Sequence, residues 1–213
     1  MLGGGILLFD SLDLNKLSLE VASRISPKRY AHTKSVEECA LMLGDALEID
    51  DVSELRAAAL LHDVAKEIPI DKQIEMLKSA DILLDDDDFN SEGVIHSFTA
   101  PIVIKRDFPK FATQNILSAT EKHTVGAENM SLFDKIVFIS DYAEFTRPYV
   151  SCIKVRDFLF TELSQLNYNE RIKRLDDACV MAIDFTINAL KTKNQNINRR
   201  IYLTRNSLLQ KKV

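Results

Sequence analysis

The segment "AALLHDVAKEIP", residues 58–69, places His62 and Asp63 directly after Leu60 and Leu61, with Lys66 four residues beyond His62. An imidazole, a carboxylate and an ammonium stand where the pattern calls for apolar side chains. The chain has 4 histidines, His32, His62, His96 and His123, and each falls on an apolar stripe at helical spacing. His32 lies one turn before Val36 and shares a face with Cys39 and Leu43. His62 follows Leu55 and Ala59, and His123 follows Ile116 and Ala119, at the same two spacings. His96 adjoins Ile95 and precedes Val103, with the helix-disfavouring Pro101 between them. Histidine is ordinarily exposed or only intermediate in burial, so four of four on apolar faces suggests a shared task.

Two carboxylates keep the same company. Asp63 follows a Leu-Leu pair, and in "LFDKIVFISDYAEF" the run Ile136, Val137, Phe138, Ile139 leaves Asp141 almost no polar face. An unpaired carboxylate buried there would cost several kcal/mol, and a cation removes that cost. Imidazole nitrogen with carboxylate oxygen, and no thiolate, suits Fe(II), Mn(II), Co(II) or Zn(II) better than a structural zinc site. A network of buried His–Asp hydrogen bonds is the alternative use of the same residues.

Helices must carry these groups. Gly and Pro number 6 and 5 in 213 residues, and strand-type alternation is nearly absent. The periodicity predicts helices over 14–25, from Pro27 to about Leu47, over 52–66 ahead of Pro69, and over 71–80, 92–107 and 112–122. Ser131 with Asp134 reads as a capping box opening the next helix, and 149–166 and 170–193 are again amphipathic before a polar, basic tail. The run Asp85–Asp88 reads as a solvated loop, because it lacks the Gly and Glu spacing of a calcium loop. "TVGAEN" reads as a loop, and Gly3-Gly4-Gly5, not followed by GK[ST], as a flexible tail rather than a phosphate loop. Neither a repeat nor a dividing linker is visible, so one all-α domain over residues 1–213 is expected.

The net charge of -5, with no basic face, argues against a nucleic-acid partner. Cys39, Cys152 and Cys179 form no CxxC and read as small buried hydrophobes in a reducing compartment. The N-terminal apolar run is too short for a signal peptide or a membrane span, so a cytoplasmic protein without a membrane partner is expected.

His32, then His62-Asp63, then Asp141 resembles the H…HD…D order of the HD-domain metal-dependent phosphohydrolases, and His96 and His123 fall where two-metal members place further ligands. More narrowly, "SPKRYAHT", "ALLHDVAKEIP", "KHTVG" and "MSLFDKIVFISDYAEFTR" resemble the bacterial YqeK family of symmetrical bis(5′-nucleosyl)-tetraphosphatases. The likeness covers about 25–150, with C-terminal helices and a tail over about 150–213, and continues weakly to Arg205-Asn206. Ser97 replaces a glycine usual in the family, and Phe145-Thr146 replaces a common Pro-Gly between Glu144 and Arg147.

The resemblance implies an HD-type helical bundle with a metal centre between core helices, hydrolysing diadenosine tetraphosphate to two ADP. It assigns His32, His62 and Asp141 to one metal, His96 and His123 to another, and Asp63 to a bridge between them. The expected cofactor is a pair of divalent transition metal ions, iron first, with manganese, cobalt or zinc as alternatives. Two metals would activate a water and neutralise the attacked phosphoryl group. Lys66 and Arg147 would contact phosphate, Lys66 also serving the chemistry beside Asp63. Glu144 would orient a ligand or receive a ribose hydroxyl. No GxGxxG, Walker loop or Ser–His–Asp set competes. Alternatives keep the centre and change the substrate, to a nucleoside di- or triphosphate, a guanosine alarmone or a cyclic nucleotide, or make the chain a non-catalytic metal or nucleotide sensor. The expected partner is a small nucleotide, with a second copy of the chain as a candidate for assembly.

Overall fold

The computed structural model describes residues 8–210, so the reading of Gly3–Gly5 lies outside the described residues. Among these, helices joined by turns and short loops build the fold and no strand occurs. The helices are α1 (Ser11–Arg24), α2 (Pro27–Ala46), α3 (Val52–Leu61), α4 (Ile70–Ser79), α5 (Asp86–Phe89), α6 (Glu92–Asp107), α7 (Gln114–Lys122), α8 (Leu132–Ala143), α9 (Val150–Phe160), α10 (Tyr168–Thr192) and α11 (Arg199–Gln210). At the centre, α2 packs on α3 and α8, while α7 packs on α3, α6 and α8. Leu43, Leu55, Leu60, Ile116, Ile136 and Ile139 fill the space between them and are fully buried. Helix α10 lies across α8 and α9, and α11 packs on α10. No helix of the described residues is long and apolar enough to cross a membrane.

Local sequence sets the helix starts. Ser26 caps α2 through Arg29 N at 3.3 Å, with Pro27 at the first position, where its missing N–H costs nothing. The Ser131–Asp134 capping box is present, with Asp134 N donating to Ser131 Oγ at 3.0 Å and Ser131 N to Asp134 Oδ2 at 2.9 Å. Helix α6 runs through Pro101 and so carries His96 on a continuous element.

Three expectations need correction. The helix predicted over 52–66 ends at Leu61, because the His62 ring takes the Ala59 carbonyl (Nδ1 to O, 2.7 Å) that the next α-helical turn would use. The chain continues in tighter turns, with Val64 N bonded to Leu61 O and Lys66 N to Asp63 O, so Lys66 and His62 do not share one helix face. The Asp85–Asp88 run is not a solvated loop throughout. Asp85 caps α5, and Asp88 is buried, accepting from Asn198 Nδ2 at 2.9 Å and from Arg200 Nη2 at 2.9 Å. Those partners belong to the segment read as a polar tail, which forms α11 and buries Ile201, Thr204 and Leu208. Its apolar stripe is thin, and its anchoring is polar and distant in sequence.

Candidate metal centre

Five elements deliver six side chains to one place. His32 comes from the second turn of α2, His62 and Asp63 from the unwound end of α3, His96 from α6, His123 from the C-terminal cap of α7, and Asp141 from the last turn of α8. The α3 and α7 termini are built alike. His123 Nδ1 donates to Thr120 O at 2.7 Å, as His62 Nδ1 does to Ala59 O. Each ring thereby spends its N–H on the backbone and turns the lone pair of Nε2 inward.

The inward atoms fall into two groups, His32, His62, Asp141 and Asp63, His96, His123, each with its ligand atoms within 4.8 Å of one another. Asp63 joins them. Its Oδ1 lies 3.1 Å from His96 Nε2 and 3.6 Å from His123 Nε2, while its Oδ2 lies 3.5 Å from His62 Nε2 and 3.8 Å from His32 Nε2. Asp141 Oδ1 stands 3.0 Å from His32 Nε2 and 3.9 Å from His62 Nε2. The structure thus brings together all six residues singled out in the sequence.

The donor set fits metal ions. His62 is fully buried and its Nε2 has no hydrogen-bond partner, yet it faces carboxylate oxygens. A lone pair aimed at negative oxygen is repulsive without a cation between them. His96 and His123 present Nε2 to Nε2 at 3.0 Å. Nitrogen ligands about 2.0–2.1 Å from one metal stand about 3–3.5 Å apart around it, which matches the second group closely and the first more loosely.

Electrostatics point the same way. Burial lowers the His96 pKa to about 4, against the pull of Asp63, which leaves a neutral ring suited to ligation. Burial also opposes protonation of His32, but hydrogen bonds to Asp141 and Glu144 outweigh it and hold its pKa at about 9. Burial works against ionised Asp63 and Asp141 too. The surrounding histidines, and for Asp141 the charge of Arg147, keep both well below the usual carboxylate range. Two negative carboxylates at the bottom of a buried cluster attract cations, and metal binding there would displace a proton from His32.

Basic side chains surround the centre. Arg147 Nη2 bonds Asp141 Oδ1 at 2.6 Å, and Lys66 Nζ lies 3.1 Å from His96 Nδ1 and 3.2 Å from Gly93 O. Burial lowers the Lys66 pKa, with Asp63 and Asp141 pulling the other way. Glu144 is not exposed. It is 1% exposed and accepts from Thr146 N at 2.5 Å and Thr146 Oγ1 at 2.8 Å, with His32 Nδ1 at 3.2 Å. It thus faces the ring nitrogen of His32 that points away from Asp63 and Asp141. A charged cavity of about 420 Å³ opens beside His32, walled by Ser26, Lys28, Arg29, Glu144, Arg147 and Tyr149.

Sequence reasoning missed Arg29, whose Nη1 bonds Asp63 Oδ2 at 2.7 Å. A signal existed, since Arg29 precedes His32 by three on one helix and so shares its face. Thr124 Oγ1, 3.1 Å from His123 Nε2, was also passed over inside a segment read as loop.

The HD domain family model matches residues 29–146. A symmetrical bis(5′-nucleosyl)-tetraphosphatase of Bacillus subtilis is 26% identical over 89% of this chain and 94% of its own. Its namesake in Halalkalibacterium halodurans is 29% identical over 89% and 93%. Among solved structures, a predicted HD superfamily hydrolase involved in NAD metabolism from Clostridium acetobutylicum superposes with a TM-score of 0.80 at 28% identity, covering 93% of this chain and 97% of that one.

Proposed function

The chain belongs to the HD domain family, and from that premise we propose that it hydrolyses dinucleoside tetraphosphates, diadenosine tetraphosphate foremost, at a centre of two divalent metal ions. One observation carries this reading. The two oxygens of Asp63 diverge, one toward the group with His96 and His123, the other toward the group with His32 and His62. A single carboxylate facing two ligand sets is what a paired-ion centre requires, and the names borne by the Bacillus and Halalkalibacterium relatives supply the substrate.

His32, His62 and Asp141 would hold one ion, His96 and His123 the other, and Asp63 both. When bound, such ions act as Lewis acids and lower the pKa of water, iron being the first candidate. The protein's own work is positioning. Ala59 O and Thr120 O fix the tautomers of His62 and His123, and Glu144 does so for His32.

Arg29 and Arg147, which neutralise Asp63 and Asp141 here, line the charged cavity and turn to phosphate oxygens when metal relieves them of the carboxylates. Lys66 Nζ adds a point charge at the His96 end. In the reaction, the oxygen of water bonds to a phosphorus beside the central bridging oxygen, the bond from that phosphorus to the bridging oxygen breaks, and a water proton is released to solvent. Both halves leave as ADP. Elemental analysis of anaerobically purified protein, followed by turnover on a nucleotide panel, tests the proposal. Two metal equivalents per chain with diadenosine tetraphosphate as best substrate is expected; saturation at one equivalent, or a mononucleotide as best substrate, would refute it.

A further inference from the structure

A second cavity, of about 630 Å³, lies where α5, the start of α6 and the segment joining α10 to α11 meet. Its walls differ in kind from those beside His32. Among the described residues no charged side chain lines it; the polar groups are the amides of Asn90, Gln195, Asn196 and Asn198 and the hydroxyl of Ser91. Val94, Leu190 and Ile201 supply apolar surface, and the Phe89 ring, 40% exposed, stands at its edge. Ser91 Oγ is buried without a hydrogen-bond partner. Asn198 is held rigid, its Nδ2 donating to Asp88 Oδ1 and its Oδ1 accepting from Arg200 N, both at 2.9 Å.

The cavity adjoins the centre. Gly93 lines it, and Gly93 O accepts from Lys66 Nζ, which also touches His96. Lys66 and Gly93 thus connect this cavity to the His96 group, while the charged cavity lies beside His32.

Resting on the reading above, we infer that the amide-lined cavity is a nucleoside subsite, holding one base and ribose of the substrate while the phosphates cross the metal centre toward Arg29 and Arg147. Amides offer donors and acceptors together, as the edge of a base requires, and an aromatic edge offers a stacking face. A volume of this order suits a compact organic ligand, and amide and hydroxyl groups without a cationic partner among the described lining residues suit a base and ribose better than a phosphate. A substrate cut at its centre carries a nucleoside on each side of the break. Holding both selects the dinucleotide over a mononucleotide of equal phosphate number.

The test compares kcat/KM of the metal-loaded chain for diadenosine tetraphosphate and for adenosine 5′-tetraphosphate, which keeps the phosphates and lacks one nucleoside. Asn196→Trp and Asn90→Trp, both at exposed positions, would fill the cavity. The ratio of the two kcat/KM values is expected to fall by about tenfold or more in each variant, a difference of about 1.4 kcal/mol. On the unaltered chain, a non-hydrolysable methylene analogue of diadenosine tetraphosphate should slow amide hydrogen exchange over 89–95 and 195–201. Turnover of the dinucleotide with an unchanged ratio and unprotected amides would overturn the subsite alone. Absence of turnover on either compound would overturn the proposed function, and the subsite with it.

Discussion

Glu144→Gln separates an orienting carboxylate from a substrate-binding one. Gln keeps the shape and the acceptor but removes the charge that His32 Nδ1 faces at 3.2 Å. Charge-assisted hydrogen bonds contribute about 1.5–3 kcal/mol against about 0.5–1.5 for neutral ones, so the variant loses about 1–1.5 kcal/mol of support for the His32 ring. That corresponds to roughly a 5- to 12-fold loss of affinity at the ion held by His32, His62 and Asp141, reaching only the lower edge of the roughly 10- to 100-fold range for partners behind a ligand. The other ion keeps its affinity, because Glu144 touches none of Asp63, His96 and His123. Anaerobic titration of metal-free protein with Mn(II) or Fe(II) against a competing chelator resolves the two steps. Equal weakening of both steps, or a raised KM for nucleotide with metal binding untouched, would refute the reasoning.

Asp63→Ala should abolish turnover more completely than His123→Ala, since Asp63 faces both groups and His123 one; equal residual rates from folded variants would count against a bridge. Arg29→Met should raise KM for the dinucleotide about tenfold or more while metal affinity holds or improves, because a charge-assisted bond to phosphate is lost along with a competitor for Asp63; weaker metal binding would contradict this. Asp88→Asn should lower stability by about 1–3 kcal/mol at pH 7, read by urea unfolding of the metal-free chain. Although burial opposes it, hydrogen bonds from Arg200 and Asn198 hold the Asp88 carboxyl below its ordinary value. Its contribution is therefore full above the unfolded value of about 3.9 and is lost as pH falls through the folded pKa, so the gap between variant and parent should close in acid. A gap that does not narrow as the pH falls below about 3.9 would show that charge is not its source.

The helical class and the six metal-type residues were legible because these residues fall on apolar stripes, where polar groups demand partners, while their division into two sets was implied only by the family resemblance. Glu144 was harder to place. Around it, Phe145 N donates to Ser35 Oγ, Thr146 N to the Glu144 carboxylate, and Arg156 to the carbonyls of Ala143 and Glu144, contacts that no periodicity marks. The early end of α3 was illegible for a related reason: a side chain competed with the backbone for Ala59 O. Helix α11 escaped because its hold on the body runs through Asp88, 112 residues before Arg200, and through Thr204 Oγ1 to Val125 O at 3.0 Å. Contacts of that kind follow from the fold and leave little trace in local pattern.

The most direct test of the central claim is where the substrate is cut. Metal-loaded protein is mixed with diadenosine tetraphosphate, sampled early and resolved by ion-exchange chromatography, with a control for further hydrolysis of ADP. The account predicts ADP as the only first product, because water attacks a phosphorus beside the central bridge while Arg29, Arg147 and Lys66 fix the chain of phosphates. ATP and AMP in equal amounts would contradict it.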